Sequence, residues 1–118
     1  MIFHITSRRN WRTALATGDY QAESLTSEGF IHCSTLSQVL PVAENFYKGQ
    51  SELVILLIEP ALLSSTLKWE PPSGGTPPQG VPKGDPFPHI YGPINLSAVV
   101  KVLDLEQNAS GAFIMPKL

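Results

Sequence analysis

The chain has 118 residues, with eight basic and ten acidic side chains and a net charge of −2. This length predicts one domain, residues 1–118, whose core buries roughly two-thirds of the unfolded surface. The near-neutral charge and the lack of a Lys/Arg run argue against a nucleic-acid surface. The single cysteine excludes an internal disulfide and fits a reducing cytoplasm.

No segment predicts a membrane span or a secretory signal. The N-terminus MIFHITSRRN lacks the basic-then-apolar order of a signal peptide, and the longest apolar run, residues 53–58, is too short to cross a bilayer. We therefore expect a cytoplasmic protein that takes a small-molecule ligand and does not bind membranes. The oligomeric state has no sequence signal.

The first elements are a strand and a helix. Residues 2–6 alternate as a short strand, and Ser7 can cap the helix that follows. The apolar face of this helix comprises Trp11, Ala14 and Leu15. Gly18 predicts its C-terminal end.

A second strand and a second helix follow. Residues 30–33 form the strand, and Ser34 or Thr35 can cap what comes next. Because proline lacks an N–H, we expect a short turn and then a helix with Pro41 in its first turn.

The remaining strands complete the predicted fold. LVILLIE at 53–59 is apolar at almost every position and predicts a central strand covered on both faces. LKWE at 67–70 and AVVKVLDL at 98–105 predict two more. The fold class is therefore α+β, a small single domain with a split mixed β-sheet and two N-terminal helices.

Residues 71–88 are rich in proline and glycine and lead directly to His89. Such a segment neither fills a sheet nor continues a helix, and loops of this length are usually functional or disordered. We predict that it covers part of a ligand cleft.

The three histidines are the candidate site residues. His4, His32 and His89 all lie in strand contexts, and Thr6 and Ser34 follow two of them on the same strand face. The alternative is that each histidine is a core residue satisfied by a backbone carbonyl. If they form a site, their rings converge on one cleft.

Two kinds of site fit converging histidines. Three neutral imidazoles make a zinc site with an open fourth position. Alternatively, the imidazoles and hydroxyls bind a polar ligand between aromatic walls from Phe30, Tyr47 or Tyr91. Physical reasoning from the residues leaves both open.

The motifs IFHIT, EGFIHCST, LKWE and FPHIYGPIN resemble the bacterial domain-of-unknown-function family DUF952, over residues 2–105. That family is grouped with the ADP-ribosyltransferase superfamily, which includes the RNA 2′-phosphotransferases. IFHIT is similar to the strand by which that superfamily binds NAD, and GFIHCS to a histidine-containing strand of the phosphotransferases. The resemblance implies an ADP-ribosyltransferase-like fold and NAD as the ligand.

The resemblance also implies residue roles. His4 matches the histidine that hydrogen-bonds a ribose hydroxyl, with Thr6 beside it, and His32 and Ser34 match the second strand. His89 stands where many members carry the glutamate that holds the nicotinamide ribose.

Some residues differ from the superfamily pattern, and other candidate residues have less support from the sequence. Ile5 replaces a common glycine, and the arginines that grip the 2′-phosphate in the phosphotransferases have no clear counterpart here. Arg8, Arg9 and Arg12 lie on the first helix, where such charges usually form a solvated face. Further ligand-contact candidates are Thr35, Tyr91 and Glu70, where Glu70 ends the LKWE strand and a solvent-facing position is its alternative role. Cys33 is expected to be a buried, unreactive thiol.

The leading functional hypothesis is a nucleotide-binding domain with NAD-dependent ADP-ribosyl transfer or NAD glycosidic cleavage at a three-histidine cleft. A catalytically inactive binding module for NAD or a phosphorylated ribose is the first alternative. The zinc site is the second.

Overall fold

The computed structural model describes all 118 residues. In chain order the strands are β1 (Ile2–Ser7), β2 (Asp19–Tyr20), β3 (Ile31–His32), β4 (Leu53–Ile58), β5 (Thr66–Glu70), β6 (Phe87–Tyr91), β7 (Ile94–Asn95), β8 (Val99–Gln107) and β9 (Phe113–Ile114). The helices are α1 (Arg8–Thr17), α2 (Glu23–Ser27) and α3 (Leu36–Phe46), with 3-10 turns at Pro60–Leu62 and Leu96–Ala98. The α+β class is confirmed, with one α-helix more than the two predicted. None of the helices has the length and apolar character needed to cross a lipid bilayer.

Every strand pair is antiparallel, so the predicted mixed sheet is wrong in its strand directions. The main sheet has the order β1-β4-β8-β9, a second has the order β3-β6-β5, and β2 pairs with β7. Strand β4 is antiparallel to β1 because the chain between them brings the start of β4 back to the end of β1. Leu53 therefore pairs with Ser7.

A backbone bridge joins the main sheet to the second sheet. Phe3 N–H donates to the Ser34 carbonyl at 2.9 Å, and Ser34 N–H donates to the Phe3 carbonyl at 2.8 Å. Since Ser34 follows β3 closely, this bridge holds the end of β3 against β1.

Strand β4 is the central strand that LVILLIE predicts, and it is buried along its whole length. Its side chains alternate between two apolar clusters, with Val54, Leu56 and Ile58 in one and Leu53, Ile55 and Leu57 in the other. A nearly continuous apolar sequence reflects burial on both faces. Strand β1 alternates in the same way, with Ile2 in the first cluster and Phe3 and Ile5 in the second.

Helix α1 begins and ends where the sequence predicts. Ser7 Oγ accepts a hydrogen bond from Asn10 N–H at 3.0 Å, and Gly18 closes the helix with a φ of 105°. Ala14 is buried in the core, whereas Leu15 is 56% exposed. The predicted place of Leu15 on the apolar face is wrong, because a helix turns by about 100° from one residue to the next.

Pro41 lies in the interior of α3, not in its first turn as predicted. The helix starts earlier than expected because Thr35 caps it and donates its N–H to Gln38 Oε1 at 2.9 Å. Pro41 removes one backbone hydrogen bond, and packing of the fully buried Val39 holds the helix against the core.

The proline-rich segment is shorter than the predicted loop at 71–88. Strand β6 begins at Phe87, so Pro88 and His89 lie inside it. The Pro88 carbonyl still accepts a hydrogen bond at 3.0 Å from the N–H of Cys33, the residue after β3. Proline therefore removes only the bond that its own N–H would have donated there.

Residues 71–86 are tied down at two points on α3. Gln38 Nε2 donates to the Pro86 carbonyl at 2.9 Å, and Asn45 Nδ2 donates to the Gln79 carbonyl at 3.0 Å. The segment therefore lies along one side of α3.

Candidate functional site

A cavity of about 430 Å³ is enclosed by β1, the end of β3, α3 and the 71–86 segment. Its apolar lining includes Phe3, Ile5, Val42, Tyr47 and Phe87. Its polar lining includes Glu28, His32, Ser34, Ser73 and His89. Small-molecule sites are typically apolar cavities of about 300–1,000 Å³ with a few convergent polar groups, and this cavity has that character.

His32 and His89 face each other across β3 and β6. They are paired in register, and their ring centroids are 5.5 Å apart at an interplanar angle of 78°. Cys33 N–H donates to the Pro88 carbonyl, so the adjacent His32–His89 pair is a non-hydrogen-bonded pair. Side chains approach most closely in such pairs, and the strand register therefore brings the two imidazoles together.

Glu28 orients the His32 ring. His32 Nε2 lies 3.0 Å from Glu28 Oε2, and Ser73 Oγ donates to Glu28 Oε1 at 3.2 Å. The hydrogen bond with His32 holds the pKa of the Glu28 carboxyl below its usual value. The His32 side chain is 42% exposed, and its Nδ1 has no protein partner.

Glu70 orients the His89 ring. His89 Nδ1 lies 2.8 Å from Glu70 Oε1, and the Tyr91 hydroxyl donates to the same oxygen at 2.5 Å. The hydrogen bonds from Tyr91 and then from His89 lower the pKa of Glu70, and the bond to Glu70 raises the pKa of Tyr91. His89 Nε2 has no protein partner, although the residue is only 3% exposed and lines the cavity.

Phe30 packs against both histidines. Its ring stacks on His89 at 4.2 Å between centroids and meets His32 edge-on at 4.8 Å. Among the predicted aromatic walls, Tyr47 lines the cavity, whereas Phe30 and Tyr91 do not. Phe30 instead restricts the orientation of the two imidazoles.

The structure does not bring His4 to the cavity. Its Nδ1 lies 2.5 Å from the His32 carbonyl oxygen and its Nε2 lies 2.8 Å from the Tyr20 hydroxyl. Phe3 and Ile5 line the cavity, so strand alternation turns His4 to the opposite face. Burial lowers the pKa of His4 to about 4, which leaves the ring neutral near pH 7. Two of the three predicted histidines therefore share the cleft.

The hydroxyl candidates separate in the same way. Thr6 is buried with Oγ1 2.8 Å from the Tyr20 hydroxyl, outside the cavity. Ser34 lines the cavity, whereas Thr35 caps α3 and does not. Cys33 borders the cavity, but the residue is only 3% exposed and packs in the first apolar cluster, and burial raises the pKa of its thiol far above the usual value.

No lysine or arginine lines the cavity. Arg8 pairs with Glu52 at 3.1 Å and with Asp104 at 2.8 Å, and Arg9 and Arg12 are exposed on α1. The arginines of the first helix therefore supply no phosphate grip at this site.

No three His, Cys, Asp or Glu side chains are grouped so that they could hold a metal ion. His4 uses both ring nitrogens inside the core. The three-histidine zinc alternative therefore has no ligand set in this fold.

Sequence reasoning missed Glu28, Ser73 and Tyr20 as partners of the histidines. Glu28 opens the EGFIHCST motif, and a carboxylate so near His32 was a usable signal. Ser73 and Tyr20 come from distant segments, and nothing in their local sequence indicates these contacts.

The chain is similar to protein CC0527 from Caulobacter crescentus. Its crystal structure is 34% identical, with a TM-score of 0.80, and the match covers 96% of this chain and 92% of that chain. The solution NMR structure of CC0527 is 35% identical, with a TM-score of 0.73, over 93% of this chain and 88% of that chain. No curated protein matches the chain. The family described as "Protein of unknown function (DUF952)" matches residues 5–102, and the chain belongs to this family.

Proposed function

We propose that the cavity binds the nucleoside part of a nucleotide-like ligand, with NAD as the first candidate. The observation that carries the proposal is a pair of facing histidines, each bonded to a carboxylate, at an apolar cavity. The apolar walls suit a planar ring, and the imidazoles suit ribose hydroxyls. The likeness of IFHIT and GFIHCS to ADP-ribosyltransferase strands supports the same ligand class.

The carboxylates set the proton positions on both imidazoles. An ionised carboxylate only accepts hydrogen bonds, so His32 Nε2 and His89 Nδ1 carry the hydrogens. In the neutral rings, His32 Nδ1 and His89 Nε2 are then acceptors. Each of these nitrogens is able to accept a hydrogen bond from a ribose hydroxyl or a proton from water.

The lining suits the nicotinamide riboside part of NAD and not its phosphates. It contains the Glu28 carboxylate and no lysine or arginine. A buried pyrophosphate without cations carries a large desolvation cost, so the phosphates belong outside the cavity. The positive nicotinamide ring, in contrast, is compatible with Glu28.

The chemistry that NAD supplies when bound is a labile glycosidic bond. In hydrolysis of that bond, His89 Nε2 would take the proton of the attacking water, and nicotinamide would leave with the electron pair of the C–N bond. Glu70 stabilises the resulting imidazolium, and His32 Nδ1 accepts a hydrogen bond from ribose. Catalysis of this kind rests on positioning and electrostatics, and it needs no covalent intermediate on the protein.

A binding module without catalysis is the second candidate, and one observation favours it. Glu28 and Glu70 are both engaged by histidines. The resemblance to the superfamily also implies that His89 stands where many members carry a glutamate. No free carboxylate remains beside the pair to stabilise a developing positive charge on ribose.

Binding and turnover are measured separately. Calorimetry tests NAD, nicotinamide riboside and a ribose phosphate, and chromatography detects released nicotinamide. His32→Gln keeps a group able to bond Glu28 and His89→Asn keeps one able to bond Glu70, so each keeps the carboxylate bond and removes the imidazole ring with its acceptor nitrogen. Arg12→Ala, exposed on α1, is the control.

We expect NAD and nicotinamide riboside to bind with similar affinity, and each histidine variant to weaken binding by about 1–3 kcal/mol. Release of nicotinamide supports the enzyme, and binding without release supports the module. If none of the three compounds binds, both the enzyme and the binding module are contradicted.

A further inference from the structure

His4 bonds to the backbone of His32 and not to its side chain. Because His32 and His89 form a non-hydrogen-bonded pair, the backbone N–H and carbonyl of His32 point away from β6. His4 Nδ1 meets that carbonyl at 2.5 Å. A carbonyl only accepts hydrogen bonds, so Nδ1 carries the hydrogen of the His4 ring.

The second nitrogen of His4 continues this network into the core. Nε2 lies 2.8 Å from the Tyr20 hydroxyl, which lies 2.8 Å from Thr6 Oγ1. With the ring neutral and Nδ1 protonated, Nε2 accepts, so the Tyr20 hydrogen goes to Nε2 and the Thr6 hydroxyl donates to Tyr20. This one arrangement gives a partner to both ring nitrogens of His4 and to the hydroxyls of Tyr20 and Thr6.

We propose that His4 is a positioning residue: its Nδ1–H holds the His32 backbone and thereby sets where the His32 ring meets His89 and Glu28. The only other hydrogen bonds between β1 and the end of β3 are the two of the Phe3–Ser34 bridge. His4 is 5% exposed and has no ring nitrogen left for a ligand. Its effect on turnover rests on the proposed function, whereas its effect on the geometry of the pair does not.

Two variants of similar size separate the two bonds of His4. In His4→Asn the amide nitrogen takes the place of Nδ1 and is able to donate to the His32 carbonyl, while the contact with Tyr20 is lost. In His4→Gln the amide reaches Tyr20 instead, and the His32 carbonyl loses its donor. If His4 only packs in the core, the two variants should change the protein similarly. If His4 positions the His32 backbone, only His4→Asn should keep that backbone in place.

Three measurements test the proposal. Nitrogen-15 NMR of the wild-type imidazoles gives the tautomer of His4, for which we expect hydrogen on Nδ1. Ring-to-ring nuclear Overhauser effects between His32 and His89 are expected in the wild type and in His4→Asn, and to weaken in His4→Gln. If the protein releases nicotinamide, kcat in His4→Gln should fall roughly 10- to 100-fold further than in His4→Asn, as small misplacements of catalytic groups do.

An Nε2-protonated His4 in the wild type would overturn the proposal, and this measurement does not depend on whether a variant folds. Unchanged His32–His89 contacts in a folded His4→Gln would overturn it as well. Neither measurement uses a ligand. Lack of NAD binding therefore counts against the proposed function alone, and a wrong tautomer counts against the positioning role alone.

Discussion

Ser73 donates a hydrogen bond to Glu28 at the edge of the cavity, with 3.2 Å between Oγ and Oε1. The other carboxylate oxygen of Glu28 lies 3.0 Å from His32 Nε2. One carboxylate therefore joins the 71–86 segment to the histidine pair.

Ser73→Ala should loosen the 71–86 segment without unfolding the protein. The bond that it removes is exposed, so we expect a loss of at most about 1 kcal/mol in the free energy of unfolding. Amide exchange within 71–86 should accelerate, which mass spectrometry measures. Ser51→Ala, at an exposed serine without a side-chain hydrogen bond, is the control, and equal exchange in the two variants would show that Ser73 does not hold the segment.

Glu70→Gln should lower the pKa of Tyr91. The hydrogen bond to the Glu70 carboxylate raises that pKa, so loss of the charge should return it toward about 10. Burial raises the pKa of Tyr20 to about 12 and also raises that of Tyr47, so Tyr91 should titrate first in an ultraviolet titration. Addition of Tyr91→Phe should remove this first step, and a titration unchanged by Glu70→Gln would show that Glu70 does not control Tyr91.

Cys33 should resist alkylation in the native protein. Burial raises the pKa of its thiol, and the reactive thiolate is therefore scarce at neutral pH. We expect iodoacetamide to label Cys33 slowly in buffer and rapidly in denaturant, as followed by mass spectrometry. Labelling at the rate of an exposed cysteine under native conditions is the contrary outcome.

Burial of neutral His4 should make the protein less stable as the pH falls from 6.5 to about 4. The pKa of His4 is lowered from 6.5 to about 4 by burial, so in this window the unfolded state binds a proton that the native state does not. The stability is fully present above pH 6.5, and about 3 kcal/mol is lost by pH 4.

Urea unfolding at several pH values measures this loss. His4→Asn has no titrating group at the position, so its free energy of unfolding should fall less across the window. Equal losses of unfolding free energy in the wild type and in His4→Asn would show that other groups cause the acid sensitivity.

The local order of elements is what the sequence by itself determined. Ser7 and Gly18 bound α1, and the apolar run at 53–58 forms the central strand. These features act between near neighbours, because a cap, a glycine with positive φ and the two-residue period of a strand all depend on adjacent backbone. The same local reasoning misplaced Pro41, because packing of α3 on the core outweighs the missing hydrogen bond.

Only the tertiary structure decided which of the two strand faces meets the cavity. Alternation places His4 and Thr6 on one face of β1, but it does not say whether that face meets a ligand or the core. The pairing of β3 with β6 and the bridge to β1 turn Phe3 toward the cavity and His4 inward. The same pairing brings His32 and His89 to 5.5 Å, because antiparallel register sets the distance between residues that are far apart in the chain.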